Sequence, residues 1–211
     1  MTKHKAPFIT FEGGEGSGKS TQIEILNNKL SQLGVDVISY REPGGTTGAE
    51  EIRHLLMEGE GDRWNSVSEA LLMSAARADL VNRHILPQRE AGTWVLCDRF
   101  TDSTIAYQGY GHRLGYEPIQ KLNQFTVAQL EPDLTFIFQI SAELGLERTA
   151  LRKSGINRFE HYDIMFHRRV EEGYAEVLKR NPERCVAVNA LLDIDMISDL
   201  IYNVINQRFN M

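Results

Sequence analysis

Residues 8–21 read Phe8-Ile9-Thr10-Phe11-Glu12-Gly13-Gly14-Glu15-Gly16-Ser17-Gly18-Lys19-Ser20-Thr21. Residues 8–11 form a short apolar run of the kind that makes a buried strand. A glycine-rich turn follows, and a helical run extends from Lys19 to about Leu33, where Gly34 stops it as a C-cap. Between strand and helix, Gly13 to Ser20 match G-x-x-x-x-G-K-S. The residue types follow from the task of holding an anion. Glycines let backbone N–H groups turn inward around phosphate oxygens, and the helix that follows offers its unpaired N–H groups and positive dipole end to the same charge. Lys19 is placed to reach the β- and γ-phosphates of a nucleotide, and the Ser20 hydroxyl to ligate magnesium.

Outward from this stretch, short apolar runs alternate with amphipathic ones. Residues 35–40 make a second strand, and Pro43-Gly44-Gly45 break the chain before a helix that starts at Thr46 and uses Ile52, Leu55 and Leu56. The longest helical pattern runs from 66 to about 88 through Val67, Leu71, Ala75, Ala78, Val81 and Ile85, with Pro87 close to its end. Further strands are predicted over 93–97, 134–140 and 185–188. Helices are predicted near 105–108, 119–130, 142–151 and 166–178, and a last one carries Ile197, Leu200, Ile201, Val204 and Ile205 as one stripe. Strands that are apolar throughout and separated by helices indicate a five-stranded parallel sheet covered on both faces, a three-layer α/β fold. The chain reads as one domain over residues 1–211, with a basic, non-periodic segment near 150–160 as a short mobile lid.

Composition narrows the function. The 211 residues include 23 basic and 29 acidic side chains, a formal net charge of -6. Mild acidity argues against tracking a nucleic-acid backbone, yet a local positive pocket still suits a small polyanion. No apolar run approaches the length of a membrane helix, and the first seven residues hold no signal core, so a cytoplasmic setting is the expectation. Cys97 and Cys185 lack metal-ligand spacing, and Cys97 sits in an apolar run as a buried thiol.

Other residues point to phosphoryl transfer. Trp94-Val95-Leu96-Cys97-Asp98 is a strand ending in a carboxylate, either a helix N-cap or a residue facing the metal beside the phosphate loop. Arg99 follows at the sheet edge where open α/β folds bind ligands, and its planar fork suits a phosphate. Met73 and Arg77 stand four apart on one helix face, and Arg53 lies in the helix after the Gly-Gly break. Arg152, Lys153 and Arg158 put three cations in seven residues, a set able to close over a transferring phosphate and exclude water. A nucleotide-dependent switch is the rival class, and the sequence lacks the Asn-Lys-x-Asp pattern that a GTP-specific switch requires.

Several stretches together resemble bacterial thymidylate kinases. They are residues 11–21, Arg41-Glu42-Pro43-Gly44-Gly45, Asp98-Arg99-Phe100 and Asp102-Ser103-Thr104-Ile105-Ala106-Tyr107-Gln108-Gly109, with Pro132-Asp133-Leu134 and Arg158-Phe159-Glu160 further on. The resemblance implies a P-loop kinase fold and transfer of the γ-phosphoryl group of ATP to dTMP with Mg2+. Another nucleoside monophosphate is the alternative acceptor. It implies that Gly13, Gly14, Glu15, Gly16, Ser17, Gly18, Lys19, Ser20, Thr21 and Arg148 bind ATP, with Ser20 and Asp98 at the metal. Glu42, Arg53, Met73, Arg77, Arg99, Thr104, Tyr107 and Gln108 are implied for dTMP, and Lys19, Arg99, Arg152 and Arg158 for catalysis. Met73 stands where the family usually stacks a phenylalanine on the base. The resemblance also implies a homodimer built through helix faces.

Overall fold

In the computed structural model, which describes residues 5–59, 62–127, 130–151 and 158–211, the first strand is the middle of the sheet. β1 (Phe8–Gly13) pairs with β3 (Trp94–Asp98) on one side and β4 (Leu134–Gln139) on the other. β2 (Val37–Arg41) and β5 (Cys185–Asn189) form the edges, giving the order β2-β3-β1-β4-β5 with every pair parallel. The predicted five-stranded parallel sheet is therefore present. Every residue of β1 is buried, so Thr10 needs a partner, which it finds in Thr135 at 2.7 Å between hydroxyls.

Helices cover both faces. On one, Ile23, Leu26 and Leu30 of α1 (Lys19–Gln32) and Ile197, Ile201 and Ile205 of α9 (Ile194–Phe209) pack on Phe11, Leu96 and Phe136. On the other, Val170, Tyr174 and Val177 of α8 (Ile164–Arg180) pack with Ile105, Tyr107 and Ile137, while Leu80, Val81 and Ile85 pack against Phe8, Val95 and Phe100. Cys97 and Cys185 are free and buried. Among the described residues no helix is long and apolar enough to cross a membrane.

The long helical pattern departs from its expected form. α3 (Ser66–Leu80) runs into a π turn, Val81–Ile85, and then α4 (Leu86–Ala91), closed by a left-handed Gly92. Pro87 falls close to the end of this run, as expected, in the first turn of α4. Its missing N–H removes one rung of an α-helical ladder, and the wider turn before it absorbs the break. A second π segment, Ile105–Gly111, follows the short α5 (Thr101–Thr104) and carries Tyr107 and Gln108.

The chain leaves β1 for one edge, returns to β3, then crosses β1 to reach β4. That reversal opens a crevice at the C-terminal ends of β1 and β3, the place where open parallel sheets bind ligands. Residues 13–20 and 98–99 both lie there.

Candidate active site

The phosphate loop is built by backbone contact. Gly16 has φ 66°, and a Cβ there would stand 2.2 Å from the Gly145 carbonyl oxygen. Gly145, on α7 (Ala142–Ala150), has the reciprocal constraint, since its Cβ would meet the Glu15 carbonyl at 2.5 Å. Two glycines thus let a helix backbone lie directly on the loop. α1 begins at a left-handed Gly18 with no side-chain cap, unlike α2 (Thr47–Met57), α3, α7 and α8, capped by Thr46, Asn65, Ser141 and Asp163. Its first N–H groups are left for an anion.

Lys19 folds back over this loop. Its Nζ donates to the carbonyls of Gly13 and Gly14 at 3.0 and 2.9 Å and to Ser17 Oγ at 3.0 Å. Burial, with the nearby Arg99 charge, pushes its pKa down to about 8. At the loop's outer edge the Ser20 hydroxyl donates to Asp98 Oδ2 at 2.7 Å, which joins the two residues expected at a metal.

Arg99 has a left-handed backbone, φ 71°, unusual for a residue with a side chain. The turn lets its N–H bond Phe11 O at 3.0 Å and swings the guanidinium across the end of β1. Nη1 donates to Gly13 O and Tyr174 Oη, each at 3.0 Å, and Nη2 pairs with Glu15 at 2.9 Å. Tyr107 also donates to Glu15 Oε1, at 2.8 Å. Beneath them Glu12 is wholly buried and accepts from Phe100 N–H at 2.7 Å, Ser103 Oγ at 2.5 Å and Tyr174 Oη at 3.2 Å. Burial and the neighbouring Asp102 push its pKa up to about 8.

Beside the loop lies a cavity of about 220 Å³. Its walls include Glu15, Ser20, Glu42, Arg53, Met73, Arg77, Asp98, Arg99, Thr104, Tyr107 and Gln108, all singled out from sequence, together with Arg41, Met57, Ser103 and Phe159. Arg77 is almost fully buried. Its donors go to Glu42 Oε2 and Thr104 Oγ1, both at 2.6 Å, to Phe100 O at 2.9 Å and to Asn123 Oδ1 at 3.4 Å. That uses four of five N–H positions among the described residues. Glu42 Oε1 is buried and meets no donor among the described residues, and burial, only partly offset by Arg77, pushes this carboxyl's pKa up to about 7. Arg53 donates to Pro43 O at 2.8 Å, and burial with Arg41 lowers its pKa. A crowd of cations around an open space is what an incoming phosphate relieves.

Two expected residues, Arg148 and Arg158, do not line this cavity. Arg148, expected at ATP, lies against the phosphate loop, its Cβ 3.1 Å from where a Cβ on Gly16 would stand, and donates to Ala190 O at 3.0 Å, tying α7 to the chain after β5. Arg158, expected as a lid cation facing phosphate, is instead wholly buried: it pairs with Glu69 and donates to Leu56 O at 2.7 Å and Tyr162 Oη at 2.8 Å. A cation with that many fixed acceptors inside the protein is a tether. Arg152 and Lys153 lie outside the described residues.

A family model described as thymidylate kinase matches residues 11–201. The chain belongs to the thymidylate kinase family. It is 47% identical over 204 residues to a thymidylate kinase of Caulobacter vibrioides, covering 97% of this chain and 98% of that one. It is 45% identical to that of Nitrobacter winogradskyi, over 95% of this chain and 88% of the relative. A crystal structure of thymidylate kinase from Ehrlichia chaffeensis superposes with a TM-score of 0.79 at 36% identity, covering 96% and 99% of the two chains. Family and fold together make this an ATP-dependent nucleoside monophosphate kinase, and the reaction is that of thymidylate kinases, phosphorylation of dTMP.

Proposed function

We propose that the cavity takes dTMP with its phosphate toward Arg53 and Arg99, while the loop from Gly13 to Thr21 takes the triphosphate of ATP. The observation that carries this reading is the shared wall. Glu15, Ser20, Asp98 and Arg99 line the acceptor cavity and also belong to, or touch, the phosphate loop, so donor and acceptor phosphates meet at Arg99. The acceptor oxygen is already anionic. No strong base is therefore required, and the work is alignment of two polyanions and neutralisation of their repulsion. Loop amides and Lys19 hold the β- and γ-phosphates, and Arg99 spans to the acceptor. Arg77 has one N–H left for a base carbonyl, Thr104 and Gln108 line the rest of the base end, and Met57 and Met73 supply its apolar wall.

Ser20 and Asp98 offer hydroxyl and carboxylate oxygens side by side, a hard-donor pair that fits Mg2+ completed by phosphate oxygens and water. The ion, when bound, neutralises charge on the transferring group. Residues near 150–160 are read as a lid, with Arg152 a lid cation and Arg158 its inner anchor, and Arg148 as a flank of the adenine. A homodimer is supported by Leu55, Val67, Leu71 and Phe125, exposed apolar side chains on α2, α3 and α6 (Tyr116–Thr126), helices that pack side by side.

A crystal of the protein with dTMP, Mg2+ and a non-hydrolysable ATP analogue tests the arrangement. The account expects the thymine at Arg77 and Gln108, both phosphate groups at Arg99, and the ion at Ser20 and Asp98. A monophosphate bound away from Arg99 overturns it.

A further inference from the structure

Glu69 stands in the first turn of α3 and is wholly buried. Its two oxygens gather four donors from distant parts of the chain. Oε1 accepts from Gln108 Nε2 at 2.8 Å and lies 2.9 Å from His112 Nε2. Oε2 accepts from Arg158 Nη2 and, at 3.2 Å, from Tyr162 Oη. Burial alone raises the pKa of such a carboxyl, but His112, Gln108 and Arg158 together hold it below the usual range. The group is therefore ionised and acts only as an acceptor.

This constrains Gln108. Turning its amide over sets a carbonyl oxygen against a carboxylate oxygen, two acceptors with no proton between them. The nitrogen stays on Glu69, so the carbonyl Oε1 is turned away from that carboxylate and is the acceptor of a side chain that lines the cavity. An acceptor there suits one kind of pyrimidine. Thymine and uracil carry N3–H between two carbonyls, whereas cytosine carries a bare N3 beside an amine.

We infer that Glu69 is a positioning residue for base selection, locking the Gln108 amide so that the cavity prefers a pyrimidine with an N3–H donor over cytosine. The inference rests on the reading that Gln108 faces the base.

A double-mutant cycle on the whole protein tests it, reading kcat/KM for dTMP and for dCMP in wild type, Glu69→Gln, Gln108→Leu and the double variant. Gln108→Leu is expected to lower the dTMP/dCMP ratio roughly tenfold, the loss of about one hydrogen bond. Glu69→Gln is expected to lower it similarly, because a neutral amide can donate to a reversed Gln108. In the Gln108→Leu background, Glu69→Gln should change the ratio less than about twofold. If Glu69→Gln slows both substrates equally, or its effect on the ratio persists without Gln108, the role is structural and the inference fails. If Gln108→Leu leaves the ratio untouched, the placement of Gln108 at the base fails instead. Should Glu69→Gln not fold, wild-type 15N NMR decides, with the Gln108 amide assigned by its absence in Gln108→Leu. Slowly exchanging protons that barely shift on dTMP binding support the inference, and a large shift with lost protection overturns it.

Discussion

At the residue scale the site is a set of charges held in reserve. Lys19, with its pKa pushed down to about 8 chiefly by burial, bonds carbonyls of its own loop. A bound triphosphate brings negative charge that raises that pKa again. ATP affinity should therefore be steady below pH 8 and fall as pH rises through 8 to 9, where the empty protein has lost a proton that the complex keeps. Calorimetry in two buffers of different ionisation enthalpy should detect proton uptake on ATP binding at pH 8.5, absent in Lys19→Ala. The same variant should lose about 10²–10³-fold in kcat/KM. Most of these residues were legible, because glycines and a lysine at fixed spacing have few other uses. Glu12 and Glu69 belong to no site expected from the sequence. A carboxylate inside an apolar strand, as Glu12 is, does carry a sequence signal. The partners that make each one a hub, Ser103 and Tyr174 for Glu12, His112 and Tyr162 for Glu69, lie far away in the chain.

At the scale of elements, the site depends on how helices approach the loop. Gly145 lets α7 rest on Glu15 and Gly16 by backbone alone. A methyl group at Gly145 meets a backbone oxygen that cannot step aside. Gly145→Ala should destabilise the protein by about 1–3 kcal/mol and raise the KM for ATP far more than that for dTMP. Equal effects on both substrates, measured by steady-state kinetics and a denaturant melt, speak against a specific α7–loop contact. The five strands and most helices were legible from apolar periodicity. The two π segments were not. Val81–Ile85 and Ile105–Gly111 keep helical composition; the first directly precedes the turn that holds Pro87, and the second carries Tyr107, which packs on Phe166 and Tyr174 from far along the chain. Arg158 misled for a related reason. Its spacing from Arg152 suggested a shared surface loop, while its burial depends on Glu69, 89 residues earlier in the chain.

At the scale of the whole molecule, sheet order and surface pattern set the remaining claims. The reversal at β1 places donor loop and acceptor cavity side by side, and α3 and α6, which pack together, leave Val67, Leu71 and Phe125 (87% exposed) uncovered. Sedimentation of the wild type should report a dimer, and a Val67→Glu/Leu71→Glu variant a monomer; a wild-type monomer removes that proposal. One crevice joins ATP to thymidine monophosphate. The direct measurement of this is transfer of label from [γ-32P]ATP, with Mg2+, to dTMP, dUMP, dCMP and dGMP supplied separately, with products resolved by anion exchange. Label should appear in dTDP, with kcat/KM for dTMP exceeding that for dCMP and dGMP by roughly 10²-fold or more. No labelled diphosphate, or equal transfer to all four acceptors, contradicts it.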